Sequence, residues 1–272
     1  MIKTSTGLIL CLASVLLFGC TVKQNARQFY DQHILSKTEL PLSGLPTSRA
    51  YNMPYFDSIS TNGPYNINFQ FNTNPYLNPN TVGNVAITGD SAIVDNTEVL
   101  VKNNNLLIML DPQYTYDMAV NVNVTIQTSV PLRRISYTGT GKIDIQNIRV
   151  DHFAATVNGS GYMFLAGKVN RFDGTATGTS RLNAKCVISE ATFVNTTDLA
   201  QAEVLGGQGV SGLAAGQSDI YYYSRPDMIE PYQRQAGSVM SMVGIMPASV
   251  PVPNPYSNPN AVTMTDDDYG AK

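Results

Sequence analysis

The sequence predicts an all-β protein, a right-handed parallel β-helix with coils of about 20 residues, and three observations predict it. Apolar and polar residues alternate with period two along successive short stretches. A Gly-x-Gly or Gly-x-Ser triplet returns at near-constant spacing, and the alternating stretches ahead of the triplets contain no segment of ten or more residues with a convincing three-four apolar period. The composition agrees: the chain is rich in Asn, Thr, Ser, Gly and Tyr, lacks Trp, and is only 14% charged, which favours strands and tight turns over helices.

Residues 1–19 read as an export signal. Met1-Ile2-Lys3 gives a short positive start, an apolar run from Leu8 to Phe18 is too short for a comfortable bilayer span, and the run ends at Gly19-Cys20. Leu17-Phe18-Gly19-Cys20 resembles the lipobox of bacterial lipoproteins, which implies that Cys20 becomes the lipidated first residue and membrane anchor of the mature chain. Thr21, where an Asp would imply inner-membrane retention, implies the outer membrane of a Gram-negative cell. Acyl chains hold such a protein firmly, at about 0.8 kcal/mol per buried CH₂.

Residues 20–50, with "ELPLSGLPTS" near the end, read as a polar tether, and the folded domain is expected over 51–227. Tyr65, Ile67, Phe69 and Phe71 alternate with polar residues, as do Val120, Val122, Val124 and Ile126; "NVAITGDSAIV" and "EVLVKNNNLLIML" add further strands. Next come the triplets Gly139-Thr140-Gly141, Gly159-Ser160-Gly161 and Gly178-Thr179-Ser180, whose third members are 20 and then 19 residues apart. Asn195-Thr196-Thr197 reads as a weaker copy, and Gly216-Gln217-Ser218 as a further one. Neighbours keep register: Tyr137, Val157 and Ala176 precede the strong triplets, while Ile143, Met163 and Leu182, then Ile145, Leu165 and Ala184, follow them. Stacked on successive coils these would form apolar ladders, with glycine turning the corners. An antiparallel β-sandwich of hairpins is the alternative, since the triplets also suit hairpin turns. Residues 228–272 read as a segment capping the solenoid end, as a short helix or a strand, followed by a disordered tail rich in Pro and Asp.

"FDSISTNGPYNINF", "VAITGDSAIV", "LLIML", "GTGKIDI", "GSGYMFL" and "AGQSDIYYYSRP", in that order over roughly residues 54 to 227, resemble the auto-transporter adhesin head domains called head GIN domains. The resemblance implies an exported, largely β-helical domain without an established enzymatic activity.

No catalytic residue, cofactor or metal site is predicted. Asp144, Asp173, Asp198 and Asp219 are the carboxylates that a sugar-cleaving solenoid would have to converge in one groove. Asp144 instead alternates with Ile143 and Ile145, and Asp173 beside Gly174 reads as a turn former. His152 beside Asp151 forms no triad, because neighbours on a strand face opposite ways, and His33 lies in the tether. Of the 3 cysteines, Cys11 leaves with the signal and Cys20 carries lipid, so Cys186 in its apolar run reads as buried. Asp266-Asp267-Asp268 lacks the spacing of a calcium loop. With 17 Lys+Arg against 20 Asp+Glu and no basic cluster along the chain, a nucleic-acid footprint is missing.

The candidate binding surface is the run Tyr221, Tyr222 and Tyr223, since tyrosine stacks through its ring and bonds through its hydroxyl. Tyr51, Tyr55, Tyr65 and Tyr76 crowd the other end of the domain. The expected function is that of a non-enzymatic outer-membrane lipoprotein presenting the solenoid for adhesion or envelope interaction, with a glycan or an envelope or host protein as partner. The alternatives are a carbohydrate-active enzyme or glycan-binding module on the same scaffold, and a periplasm-facing structural envelope lipoprotein.

Overall fold

The computed structural model describes residues 38–71, 82–116, 120 and 122–243. Cys20 and the signal, most of the tether including His33, Tyr76, and the tail with Asp266 to Asp268 lie outside the described residues. In chain order the strands are β1 (Thr38–Glu39), β2 (Pro46–Met53), β3 (Ser58–Asn62), β4 (Tyr65–Phe71), β5 (Gly83–Asp90), β6 (Thr97–Lys102), β7 (Asn105–Leu110), β8 (Tyr114–Thr115), β9 (Val122–Thr128), β10 (Arg134–Gly139), β11 (Lys142–Gly159), β12 (Tyr162–Ala176), β13 (Arg181–Thr196), β14 (Gln201–Ala214), β15 (Asp219–Tyr222), β16 (Met228–Gln233) and β17 (Ser238–Ser241). A short helix, α1 (Ser91–Asp95), lies between β5 and β6. β1 and β8 pair in parallel within a small separate unit; every other strand belongs to the main unit.

The main unit is a parallel β-solenoid of about 5 turns. β10 to β15 each pair in parallel with the strand one coil away, and the long strands β11 to β14 each bend through more than one face of the coil. The register is the one the triplets predict: Tyr137 pairs with Val157 and Val157 with Ala176, while Ile143 pairs with Met163 and Met163 with Leu182. These side chains are all buried, and each full aliphatic burial contributes about 1.5–3 kcal/mol. Phe153 and Phe172 stack one coil apart with ring centroids 6.5 Å apart, and Cys186 lies buried as expected.

Antiparallel pairing among the described residues occurs only toward the N-terminal end, where β2 joins β5, β5 joins β9, and β6 joins β7. The sandwich alternative is therefore not needed. β2 starts at Pro46, and β16 and β17, within the segment read as a short helix or a strand capping the solenoid end, pair with β14 and β15. β2 and β16 show no apolar alternation for one reason. Both are edge strands exposed along most of their length, so no buried face imposed an apolar alternation.

The corners explain the triplets. Gly159, Gly178, Asp198, Gly216 and Gln235 all have positive φ, from +60° to +95°, and consecutive corners are joined by backbone bonds: Thr179 N–H to Gly159 O, Leu199 N–H to Gly178 O, Gln217 N–H to Asp198 O and Ala236 N–H to Gly216 O. The fourth corner is therefore Asp198-Leu199-Ala200, and Asn195-Thr196-Thr197, read as a weaker copy, ends β13 instead. Asp198 holds the left-handed conformation that glycine takes elsewhere, and its carboxylate accepts the Gly178 N–H at 3.1 Å. The third triplet position is set by what lies one coil below. Above Tyr137 stands Gly161, with no side chain to collide with the ring. Above Val157 stands Ser180, whose Oγ donates to Val157 O or Thr177 O. Above Thr196 stands Ser218, with the two hydroxyls 2.9 Å apart.

Candidate functional site

The ladder sorts every predicted side chain into inward or outward. Tyr222 pairs with Val204, a core residue, and so points to the inner side; Tyr221 and Tyr223 face outward. The run is therefore not one patch. Tyr221 donates its hydroxyl to Asp219 Oδ2 at 3.2 Å, and Asp219 is also bound by Ser238. Lys185 Nζ lies 5.2 Å from the centre of the Tyr223 ring and 2.5 Å from Glu203 Oε2. Burial works against the charge on Lys185, but the Glu203 carboxylate outweighs it and holds the ammonium above its ordinary range. Burial and the neighbouring carboxylates push both phenols up. The outward tyrosines are already engaged by their own neighbours.

The four carboxylates occupy separate places. Asp144 is half-buried on β11, where burial raises its pKa and Gln146 Nε2 donates to it at 3.0 Å. Asp198 forms a corner and Asp219 ties β15 to β17. Asp173 is no turn residue: it sits within β12, facing outward. Among the described residues no group of three or more His, Cys, Asp or Glu is placed to hold a metal ion.

Asp173 belongs to an arrangement that the sequence did not reveal. His152 Nε2 lies 2.6 Å from Asp173 Oδ2, and Arg171 Nε donates to Asp173 Oδ1 at 2.9 Å. Arg171 in turn lies 4.4 Å from the centre of the Phe193 ring, one coil further on. Phe193 is 40% exposed and Tyr232 57%. With Asn195, Leu213 and Arg234 they line a shallow hollow of about 560 Å³. The column that supports it is continuous: Arg134, Ala154, Asp173, Phe193 and Ser211 are successive register partners. Phe193-Val194 hid the platform, because two adjacent apolar residues do not say which faces out; Tyr232 lies past the last legible triplet. An open hollow with ring faces, a cation and amide groups can stack and hydrogen-bond a partner.

The family described as "Putative auto-transporter adhesin, head GIN domain" matches residues 56–226. The chain belongs to this family. A crystal structure of a putative adhesin from Bacteroides fragilis NCTC 9343 is similar to this head GIN chain at 19% identity, with 73% of this chain and 98% of that one covered and a TM-score of 0.58. A putative adhesin from Parabacteroides merdae ATCC 43184 is similar at 12% identity, over 74% of this chain and 97% of that one, with a TM-score of 0.45. At such identities the first of these likenesses shows a shared fold. No curated protein matches the sequence.

Proposed function

We propose that this head GIN chain is an exported, lipid-anchored adhesion protein of the outer membrane, whose solenoid presents the Phe193–Tyr232 platform to a sugar-bearing partner. The observation that carries the reading is the platform itself: two exposed rings and Arg171 lining one hollow, with Arg171 and Phe193 on the neighbouring strands β12 and β13 and Tyr232 two strands further on, on β16. Apolar rings left in solvent cost free energy that a partner's sugar face would recover. The dispersal of Asp144, Asp173, Asp198 and Asp219 supports binding rather than glycoside cleavage. Membership of an adhesin family supports the adhesion role, and Leu17-Phe18-Gly19-Cys20 followed by Thr21 supports the anchor and its membrane.

Two experiments test this reading. Metabolic labelling with an alkyne fatty acid is expected to mark the chain and to be lost in Cys20→Ala; an unlabelled wild type rejects the anchor. Protease shaving of intact cells is expected to remove the domain, and survival until the outer membrane is breached would mean that it faces the periplasm as an envelope protein.

A further inference from the structure

A second concavity, of about 1170 Å³, lies beside the N-terminal coils of the solenoid. Arg133, Arg134, Arg149 and Lys168 line it, and all four are exposed. The ion pairs among the described residues engage Arg49, His152, Arg171 and Lys185, so none of the four is neutralised by a described carboxylate. Asp57 and Asp151 also line the groove, two carboxylates against four cations, and the Asn170 amide donates to Asp151 at 3.1 Å. His152 reaches the rim but is turned to Asp173.

The chain as a whole carries net charge −3, so this local excess of positive charge runs against the average. Linear order conceals it: Arg134 begins β10 and is the register partner of Ala154, while Arg149 on β11 and Lys168 on β12 are register partners of each other, about 4.8 Å apart between rungs. The strand backbones fix the bases of the side chains; Arg133 N–H donates to Asp57 O at 2.8 Å and Ala154 N–H to Arg133 O at 3.0 Å. Like charges at this spacing repel unless an anion lies between them, and a concave wall concentrates their field. Tyr55, 45% exposed, stands at the same groove and offers a ring face.

We propose that this groove binds an acidic polysaccharide, with sugar carboxylates on Arg134, Arg149 and Lys168 and one sugar ring on Tyr55. A coil spacing comparable to the length of a sugar residue lets Arg149 and Lys168 meet successive sugars, with Arg134 elsewhere along the same groove. Arginine receives a carboxylate through two parallel N–H donors, which fixes orientation as well as charge. A single tyrosine gives one sugar a stacking face but offers no successive platforms for a run of bases. The proposal deepens the adhesion reading, on which it rests, by naming the partner's chemistry at a second place.

The test uses the full chain in detergent, with polygalacturonate, alginate and hyaluronate as probes and fully methyl-esterified polygalacturonate as the matched uncharged control. Binding to at least one acidic chain is expected, weakening as salt rises and lost on esterification. The R134Q/R149Q/K168Q variant, checked for an unchanged melting midpoint, is expected to lose about tenfold or more in affinity. R134K/R149K, which keeps the charge but not the two-donor fork, should bind more weakly than wild type but more tightly than the triple variant, and Phe193→Ala with Tyr232→Ala should leave binding unchanged. Absence of salt-sensitive binding to all three acidic chains, equal binding of the esterified control, an unaffected triple variant, or equal affinity for inorganic polyphosphate would each overturn the proposal. Neutral-glycan binding that persists while the acidic probes fail rejects this groove and leaves the adhesion reading standing; loss at the platform with acidic binding intact does the reverse.

Discussion

Gly161 lies against the ring of Tyr137: a Cβ at Gly161 would sit 2.5 Å from Tyr137 Cε1. The contact is steric, and it accounts for the change from glycine to serine at this corner one coil later, where Val157 replaces the tyrosine beneath Ser180. Gly161→Ala is therefore expected to destabilise the fold by about 1–3 kcal/mol, as overpacking does. In a Tyr137→Val background the added cost of Gly161→Ala should shrink, giving a coupling of about 0.5–3 kcal/mol in a double-mutant cycle read by urea denaturation. Simple additivity would mean that the ring does not dictate the glycine.

The corner column makes a second, opposite prediction. Gln235 holds φ +60°, where a side chain costs about 1–2 kcal/mol relative to glycine. Gln235→Gly should raise the denaturation midpoint. Asp198, at φ +65°, offsets part of that cost through its bonds to Gly178 N–H and Thr197 Oγ1. Asp198→Ala should therefore destabilise the fold more than Asp198→Gly, since glycine removes the bonds but relieves the backbone.

Tyrosines, Tyr137 and Tyr65 foremost, make the fold sensitive to alkali. Burial pushes Tyr137 up from 10.0 to about 12, against the opposing hydrogen bond from Gly141 N–H, and burial raises Tyr65 as well. A group whose folded pKa is raised contributes stability that is complete below the unfolded value and lost as pH climbs through the folded one. The urea midpoint should hold to about pH 10 and then fall toward the folded value of Tyr137, about 12. Tyr137→Phe should lower stability at neutral pH by about 1–3 kcal/mol, because Gly141 N–H loses its buried acceptor, and should flatten part of the alkaline fall. The remainder belongs to Tyr65, whose hydroxyl lies 2.9 Å from Thr97 Oγ1, and to Tyr116, Tyr221 and Tyr223, whose phenols are also raised.

Much of the fold was legible because a solenoid repeats its physics. Tyr137, Val157 and Ala176 share a column in the sequence and in space, and the glycine corners mark where each coil turns. The failures have equally specific causes. Asp198 replaces a corner glycine by capping its neighbour, so a search for glycine misplaced that corner by three residues, at 195 instead of 198. Tyr221, Tyr222 and Tyr223 are adjacent in sequence, but alternation divides them between the inside and the outside of the sheet. Phe193 and Tyr232 were invisible as a pair because they come to line one hollow only when coils stack. The basic groove was hidden likewise: Arg134, Arg149 and Lys168 are 15 and 19 positions apart in the chain and come together only around the coil.

A glycan array probed with the full chain in detergent tests the platform most directly. Wild type is expected to bind sugars, and Phe193→Ala with Tyr232→Ala to lower binding to neutral glycans by about tenfold or more, while Tyr221→Phe with Tyr223→Phe leaves it within a few-fold. An array on which the Phe193 and Tyr232 substitutions change nothing, or on which wild type is silent while purified envelope proteins bind it, would contradict the assignment of that face to sugars.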